Sequence, residues 1–263
     1  MRVQSLGYRT DLTLLRLGGS VVIDRPDRLV VRTPQNPAFW WGNFLLLAHA
    51  PSHDDVDRVL AGFAAEFPQA DHVAIGVDDP HATVDGLATL ADRGFDTEAA
   101  SVMTAADVHE PPHPNRDAGL RELHSDRDWT DSVELRMRCD AGEFDPVTHR
   151  PFVVAKAASN RRLVAAGHAT WFGAFVDGAL VAQLGIVRAG DGLARFQTVE
   201  TDPQHRRRGL CGTLVHHAAR AVIEQGGARS LVLVADPDDV AIRVYRSVGF
   251  AGVETQLQAT RRP

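Results

Sequence analysis

The sequence has few cysteines and no long apolar segment. Its 263 residues include only Cys139 and Cys211, which form no C-x-x-C pair and no metal-ligand spacing. This usage is typical of a reducing compartment, with a single disulfide as the alternative. The longest apolar runs, such as residues 44–48, are far shorter than the ~20 residues of a membrane span. Residues 1–5 begin no secretory leader pattern. We therefore expect a cytoplasmic protein with no membrane partner.

The chain also lacks an excess of positive charge. Lysine and arginine total 28 against 34 acidic residues, which gives a formal net charge of −6 and a pI near 6.0. This balance argues against nucleic acid as a partner. Hydrophobic residues make up 44% of the chain, as in ordinary soluble globular proteins. The length predicts one large or two medium domains.

Histidines are frequent, but no metal-binding or nucleotide-binding motif accompanies them. His216 and His217 are adjacent and so point to different faces of a helix, while His109 and His113 lie in a proline-rich stretch. The sequence has no H-E-x-x-H, no G-x-S-x-G and no G-x-x-x-x-G-K-[ST]. We expect surface histidines and no metal site.

A proline-rich stretch divides the sequence. Pro111-Pro112-His113-Pro114 fits neither a helix nor an inner strand. It predicts an N-terminal domain over 1–106, a linker over 107–119 and a C-terminal domain over 120–263.

Strands and helices alternate on both sides of this linker, which predicts a mixed α/β layer architecture. Gly94-Phe95 and Gly249-Phe250 stand 155 residues apart and follow similar strand–helix–strand–helix orders. We therefore interpret the halves as two related domains in tandem. The patterns predict helices over 54–67, 81–93, 126–139, 146–166, 209–225 and 238–248. They predict a hairpin over 20–33, a strand over 39–47, a strand pair over 95–104 and three strands over 170–176, 180–187 and 193–199.

The stretch from Thr198 to Gly212 reads as a strand, a basic turn and an amphipathic helix. Backbone N–H groups, the positive end of the helix and nearby guanidinium groups converge at such a turn. That combination suits a di-anionic phosphate group.

Two motifs connect this turn to a known family. Arg206-x-x-Gly209-x-Cys211 resembles the acyl-CoA pyrophosphate loop, Q/R-x-x-G-x-G/A, of the GNAT superfamily of N-acetyltransferases, with cysteine as the last small residue. Asp238-x-x-Ala241-x-x-x-Tyr245-x-x-x-Gly249-Phe250 is similar to the family's N-x-x-A-x-x-x-Y-x-x-x-G-F, with Asp238 in place of asparagine. The motifs stand in the family's order, separated by one helix and one strand, and the resemblance covers about residues 120–260.

The resemblance implies an α/β fold (an α+β mixed sheet) with two tandem GNAT-like acyl-CoA N-acyltransferase domains, the N-terminal one degenerate. It implies an N-acetyltransferase that uses acetyl-CoA as the acyl-donor cosubstrate and transfers the acetyl group by direct attack of an amine. The coenzyme contacts that follow from the motifs are Val199, Thr201, Arg206, Arg207, Arg208, Gly209, Leu210, Cys211, Gly212, Asp238 and Ala241.

Acetyl transfer requires an acid for the leaving thiolate and a base or water relay for the amine. Tyr245 occupies the family's acid position. Glu200, at the end of the central strand, is the first candidate for the base. Asp202, Glu134 and Glu143 are the alternatives.

The first half lacks the basic turn. The corresponding stretch, residues 48–53, has no arginine and no glycine and precedes the acid-rich helix start at residues 54–57. We expect it to bind no coenzyme, and either to complete the acceptor site or to imitate the partner subunit of a family dimer. The acceptor is expected to be a small-molecule or peptide amine, and the protein a monomer or homodimer. The alternative functions are a non-catalytic acyl-CoA sensor or interaction module, and a nucleotide-binding protein.

Overall fold

The computed structural model of the protein describes residues 1–226 and 228–262. Its elements up to residue 105 are α1 (Leu6–Leu17), β1 (Val21–Asp24), β2 (Arg28–Arg32), β3 (Phe44–Leu47), α2 (Val56–Glu66), β4 (Val73–Val77), α3 (Ala88–Ala91) and β5 (Asp96–Ala105). The remaining elements are β6 (Gly119–Glu122), α4 (Asp126–Cys139), α5 (Pro146–Ala165), β7 (Ala169–Val176), β8 (Ala179–Gly190), β9 (Leu193–Thr201), α6 (Leu210–Glu224), β10 (Ser230–Ala235), α7 (Ala241–Val248) and β11 (Ala251–Arg261). The predicted mixed α/β architecture is confirmed. None of the helices in the described part of the chain combines the length and apolarity that a membrane span requires.

The chain divides into two compact units. Unit 1 comprises Met1–Val102, Val234–Pro237 and residues 252–262, and unit 2 comprises the described residues of Met103–Leu233 and Asp238–Ala251. These units differ from the predicted domain limits in two ways. The predicted linker lies inside unit 2, and β11 pairs antiparallel with β4 in unit 1. The pairing of β11 joins residues that are far apart in sequence, so local patterns could not reveal it.

Unit 1 is built on strands in the order β1-β2-β3-β4-β11-β5. The apolar residues Val56, Val59 and Phe63 recur at helical spacing on α2 and are all buried. They pack in one cluster with buried residues of β3, β4 and β11. On α1, the buried Tyr8 donates a hydrogen bond from its phenol to the carbonyl oxygen of Leu257, at 2.5 Å.

Unit 2 is built on strands in the order β10-β9-β8-β7-β6. Neighbouring residues of β7 face opposite sides of this sheet. Trp171 contacts Trp129 of α4 on one side, and Phe172 contacts His217 of α6 on the other. The helices α4 and α6 therefore cover opposite faces of the sheet, and β9 lies between them.

Several predicted elements have the predicted bounds, and three do not. The hairpin, the helices over 126–139 and 146–166 and the three strands of unit 2 are confirmed within a few residues at most. The helix predicted over 81–93 is wrong, since a 3-10 turn over Val84–Leu87 precedes the four-residue α3. The strand pair predicted over 95–104 is the single strand β5.

The strand predicted over 39–47 is also wrong in its first half, where residues Trp40–Gly42 form a 3-10 turn. The side chain of Asn43 explains the difference. Its Nδ2 donates to the carbonyl oxygens of Asn36 and Phe39, at 3.1 and 2.9 Å. These local bonds hold a turn instead of a strand ladder.

Candidate active site in unit 2

The end of β9 is bent by a β-bulge. Gln183 of β8 pairs with Glu200 of β9, but two residues further along β8 the partner is Gln197, three residues away on β9. The additional residue lies at Thr198, whose φ of 54° is in the left-handed region. Such a φ is unusual for a β-branched residue, and a bulge of this kind increases the local bend of a strand.

The pairing of β9 with β10 ends before this bulge. The parallel pairing of these strands joins Leu193–Arg195 to Ser230–Val232 and includes no later residue of β9. The edge of β9 around Val199 and Thr201 therefore faces a gap, and both residues are half-buried. The Thr201 carbonyl oxygen accepts a hydrogen bond from Nε of Arg206 at 3.3 Å. Other backbone N–H and C=O groups at such a gap need partners, which an extended ligand can provide.

The basic turn follows β9 and is shaped by Asp202. Its carboxylate accepts hydrogen bonds from the Gln204 N–H at 2.9 Å and from Nε of Arg138 at 2.7 Å. Burial of Asp202 opposes ionisation, but these two donors outweigh it and lower the pKa of the carboxyl. Asp202 therefore has a structural partner for each oxygen, which fits a residue that holds the turn rather than a base.

Two left-handed residues complete the turn before α6 begins. Arg207 has a φ of 61° and Gly209, the N-cap of α6, a φ of 76°. Such conformations make a concave arrangement of backbone N–H groups that suits anions. The side chains of Arg206, Arg207 and Arg208 are exposed. Leu210 is buried in the core, so only its backbone can contribute to a site at the start of α6.

The structure shows why position 209 requires glycine. A Cβ at Gly209 would lie 2.2 Å from the carbonyl oxygen of His113, in the predicted linker. A Cβ at Gly212 would be 3.1 Å from Cβ of Pro111 in the same segment. Glycine at position 209 is thus required by its left-handed φ and by the chain's own backbone.

Tyr245 lies on the buried face of α7, with 5% of its surface exposed. Burial raises the pKa of its phenol, and the nearby Cys211 and Asp239 raise it further. Burial likewise raises the pKa of the Cys211 thiol to about 12. Both groups are therefore protonated at neutral pH. Asp239 also accepts a hydrogen bond from the Ala241 N–H at 2.8 Å at the start of α7, while Asp238 is exposed.

Glu200 is buried, with 9% of its surface exposed, and both carboxylate oxygens are engaged. Arg136 of α4 donates to one oxygen and Nε2 of Gln183 donates to the other, at 2.8 Å. Burial raises the pKa of Glu200, and these two donors oppose the rise without cancelling it. The carboxyl is thus a stronger base than an exposed glutamate, but it is not free of partners.

The Glu200–Arg136 pair continues into a polar network that the sequence analysis missed. Nε of Arg136 donates to Oδ2 of Asp140 at 2.6 Å, and Nε2 of His149 lies 2.7 Å from the same oxygen. The imidazole of His149 stacks on Phe144 with ring centroids 4.4 Å apart. The one sequence feature that could have indicated this network is the i,i+4 spacing of Arg136 and Asp140.

The other alternative bases lie elsewhere on the surface. Glu134 is half-exposed in an ion pair with Arg150, and Glu143 is exposed in the loop after α4. Residues 1–226 and 228–262 contain no group of three or more histidine, cysteine, aspartate or glutamate side chains arranged to hold a metal ion.

The profile of the acetyltransferase (GNAT) family matches residues 131–250. This segment contains the bulge, the basic turn, α6 and Tyr245. The family match supports acyl-CoA-dependent N-acetyltransferase activity in general terms, with an amine as acceptor. No curated protein sequence matches the chain.

Solved structures share the fold over nearly the whole chain. A protein of unknown function from Staphylococcus epidermidis ATCC 12228 is 13% identical, with a TM-score of 0.68 over 91% of this chain and 92% of that one. A GCN5-related N-acetyltransferase from Kribbella flavida is 18% identical, with a TM-score of 0.66 over 98% and 97%. A tandem GNAT protein from the clavulanic acid biosynthesis pathway is 15% identical, with a TM-score of 0.58 over 95% and 87%. The predicted tandem GNAT-like fold is therefore confirmed.

Proposed function

We propose that this chain, in which residues 131–250 form an acetyltransferase domain of the GNAT family, transfers an acetyl group from acetyl-CoA to an amine. The observation that carries the proposal is the succession of two features along the chain. Pairing of β9 with β10 ends at Arg195 and β9 bulges at Thr198, and the basic turn with its left-handed residues Arg207 and Gly209 follows. An extended pantetheine arm needs the first feature and a pyrophosphate needs the second.

The residues present fit this cosubstrate. The gap offers the backbone of Val199 and Thr201 to the pantetheine arm. The start of α6 offers the backbone N–H groups of residues 209–212 to the pyrophosphate. One or two of the exposed guanidinium groups at residues 206–208 reach phosphate oxygens. Asp238 and Ala241, before and at the start of α7, are the remaining proposed contacts.

Acetyl-CoA supplies an activated thioester, and the chain's own residues provide the proton transfers. Glu200 takes the proton of the ammonium acceptor, directly or through water, because an amine attacks only when neutral. A backbone N–H on β9 between Val199 and Thr201 stabilises the negative charge that develops on the carbonyl oxygen. Tyr245 donates a proton to the leaving thiolate, for which its buried phenol is fully protonated.

One observation favours a second function. Arg136 and Gln183 occupy both oxygens of Glu200. This engagement fits a carboxylate with a structural role, and hence a non-catalytic acyl-CoA sensor or interaction module.

The test is release of free thiol from acetyl-CoA in the presence of a broad panel of small-molecule and peptide amines. We expect thiol release that depends on one class of amine. Binding of coenzyme A without thiol release for any amine would support the sensor. Absence of both binding and release would overturn the proposal, and displacement of coenzyme A by ATP would indicate a nucleotide site.

A further inference from the structure

The segment from His109 to Asn115, which the sequence analysis interpreted as a linker, packs against the helices of the candidate active site. The His109 N–H donates to the carbonyl oxygen of Val248 at the end of α7, at 3.1 Å. Pro111 is buried and lies against Gly212 of α6. The segment then reaches Gly209 through the carbonyl group of His113.

Asn115 forms hydrogen bonds with the turn, with α6 and with its own segment. Its backbone N–H donates to Oγ1 of Thr213 at 2.8 Å, and its Nδ2 donates to the carbonyl oxygen of Arg208 at 2.9 Å. Its Oδ1 accepts from the Ala118 N–H at 2.9 Å, and so holds the segment's own bend. One side chain thereby fixes both the segment and the turn.

The bond to Arg208 fixes the direction of a backbone N–H. The carbonyl group of Arg208 and the N–H of Gly209 belong to one planar trans peptide, in which they point in opposite directions. Because Asn115 holds the carbonyl oxygen toward the segment, the Gly209 N–H points away from it.

We propose that Asn115 is a positioning residue for the coenzyme, which orients the Arg208–Gly209 peptide so that its N–H meets the pyrophosphate. This inference rests on the proposed function. It assigns to the proline-rich segment a role in cosubstrate binding rather than only the connection of two domains.

The experiment is calorimetric titration of coenzyme A into the wild-type chain and three variants. Asn115→Asp is nearly isosteric and keeps the acceptor for Ala118, but it cannot donate to Arg208. Asn115→Ala removes donor and acceptor without adding charge. Arg116→Ala is the matched control, because it breaks only an exposed ion pair with Glu110 in the same segment. We expect the Kd for coenzyme A to rise about five- to tenfold in both Asn115 variants and to stay unchanged in Arg116→Ala.

Kinetics distinguish positioning from a general structural role. The KM for acetyl-CoA should rise in both Asn115 variants, while kcat and the KM for the acceptor stay close to wild type. Unchanged affinity in Asn115→Ala would overturn the inference, even if Asn115→Asp binds weakly through charge repulsion. If kcat and thermal stability both fall in the Asn115 variants, Asn115 has a general structural role, and the inference is overturned. Failure of the wild-type chain to bind coenzyme A would instead contradict the proposed function.

A second pair of variants keeps the test valid if the Asn115 variants fail to fold. Thr213→Val removes the hydroxyl that accepts from the Asn115 N–H, and Thr213→Ser retains it. We expect weaker coenzyme A binding for valine and wild-type binding for serine. Equal affinities in the two variants would contradict the inference.

Discussion

The two halves of the chain each contain a strand, a helix and a parallel strand, but the junctions differ. In the first half, β3 pairs with β4 through its last residue, Leu47, and the Asp78 N–H extends the ladder by a bond of 2.8 Å to the Leu47 carbonyl oxygen. In the second half, pairing of β9 with β10 includes no residue of β9 after Arg195. The first junction is closed by backbone hydrogen bonds, and the second is open.

This difference indicates that the candidate active site depends on backbone geometry as much as on charge. The open junction has a left-handed threonine in its strand and a left-handed glycine at the helix start. The closed junction has neither, and its helix begins with Asp55 and Asp57 in place of basic residues. We propose that the first half is a degenerate domain that binds no coenzyme.

The largest effect is expected from adding a side chain at Gly209 in the basic turn. In Gly209→Ala, the Cβ would clash with the His113 carbonyl group 2.2 Å away, in addition to the strain of a φ of 76°. We expect binding of coenzyme A to become undetectable by calorimetry. Gly94→Ala in the first half is the matched control, with a φ of 78° and open space around the new Cβ. The control should cost about 1–2 kcal/mol of stability and leave binding unchanged. Equal binding by both variants would contradict the role of the turn.

The second-largest effect is expected from removing a tyrosine hydroxyl. The sequence has two tyrosines, Tyr8 in unit 1 and Tyr245 in unit 2. Tyr245→Phe removes the proposed acid, and we expect kcat for acetyl transfer to fall about 100-fold with little change in the Kd for coenzyme A. Tyr8→Phe removes the hydrogen bond to Leu257, and should lower stability by about 1–2 kcal/mol without changing kcat. Steady-state kinetics and thermal unfolding separate the two outcomes. An unchanged kcat in Tyr245→Phe would remove the acid role.

A smaller effect is expected in the pH dependence of kcat/KM. Arg136 lowers the pKa of Glu200 against the effect of burial, so Arg136→Met should raise it. Because the base acts only when deprotonated, the acidic limb of the profile should move upward by about one pH unit. The stabilisation from a raised carboxyl pKa is present at low pH and is lost as pH rises through that pKa. The variant should therefore lose stability relative to wild type with rising pH. An unmoved acidic limb would indicate that Glu200 is not the base.

Local patterns predicted the parts of the fold that local interactions determine. The helix over Asp126–Cys139 was predicted with its bounds from its apolar spacing, and the structure adds a capping box from Ser125 and Asp128 at its N-terminus. The basic turn and α6 followed from the succession of strand, arginines and glycine. The length of α3 was overestimated, because apolar spacing alone does not exclude a 3-10 turn.

The features that the sequence did not predict depend on contacts between residues far apart in the sequence. Arg136 and Glu200 are 64 positions apart, so the engagement of the candidate base could not be predicted. Asn115 and Arg208 are 93 positions apart, and a proline-rich segment gave no sign that it would hold a turn. The bulge at Thr198 depends on register with β8, which the sequence of β9 does not show.

The most direct test of the open and closed junctions is the stoichiometry of coenzyme A binding to the wild-type chain, measured by calorimetry. The open junction predicts one molecule bound per chain. Two molecules per chain would show that the closed junction also binds. No bound molecule would show that the opening after Arg195 and the turn at Gly209 do not make a coenzyme A site.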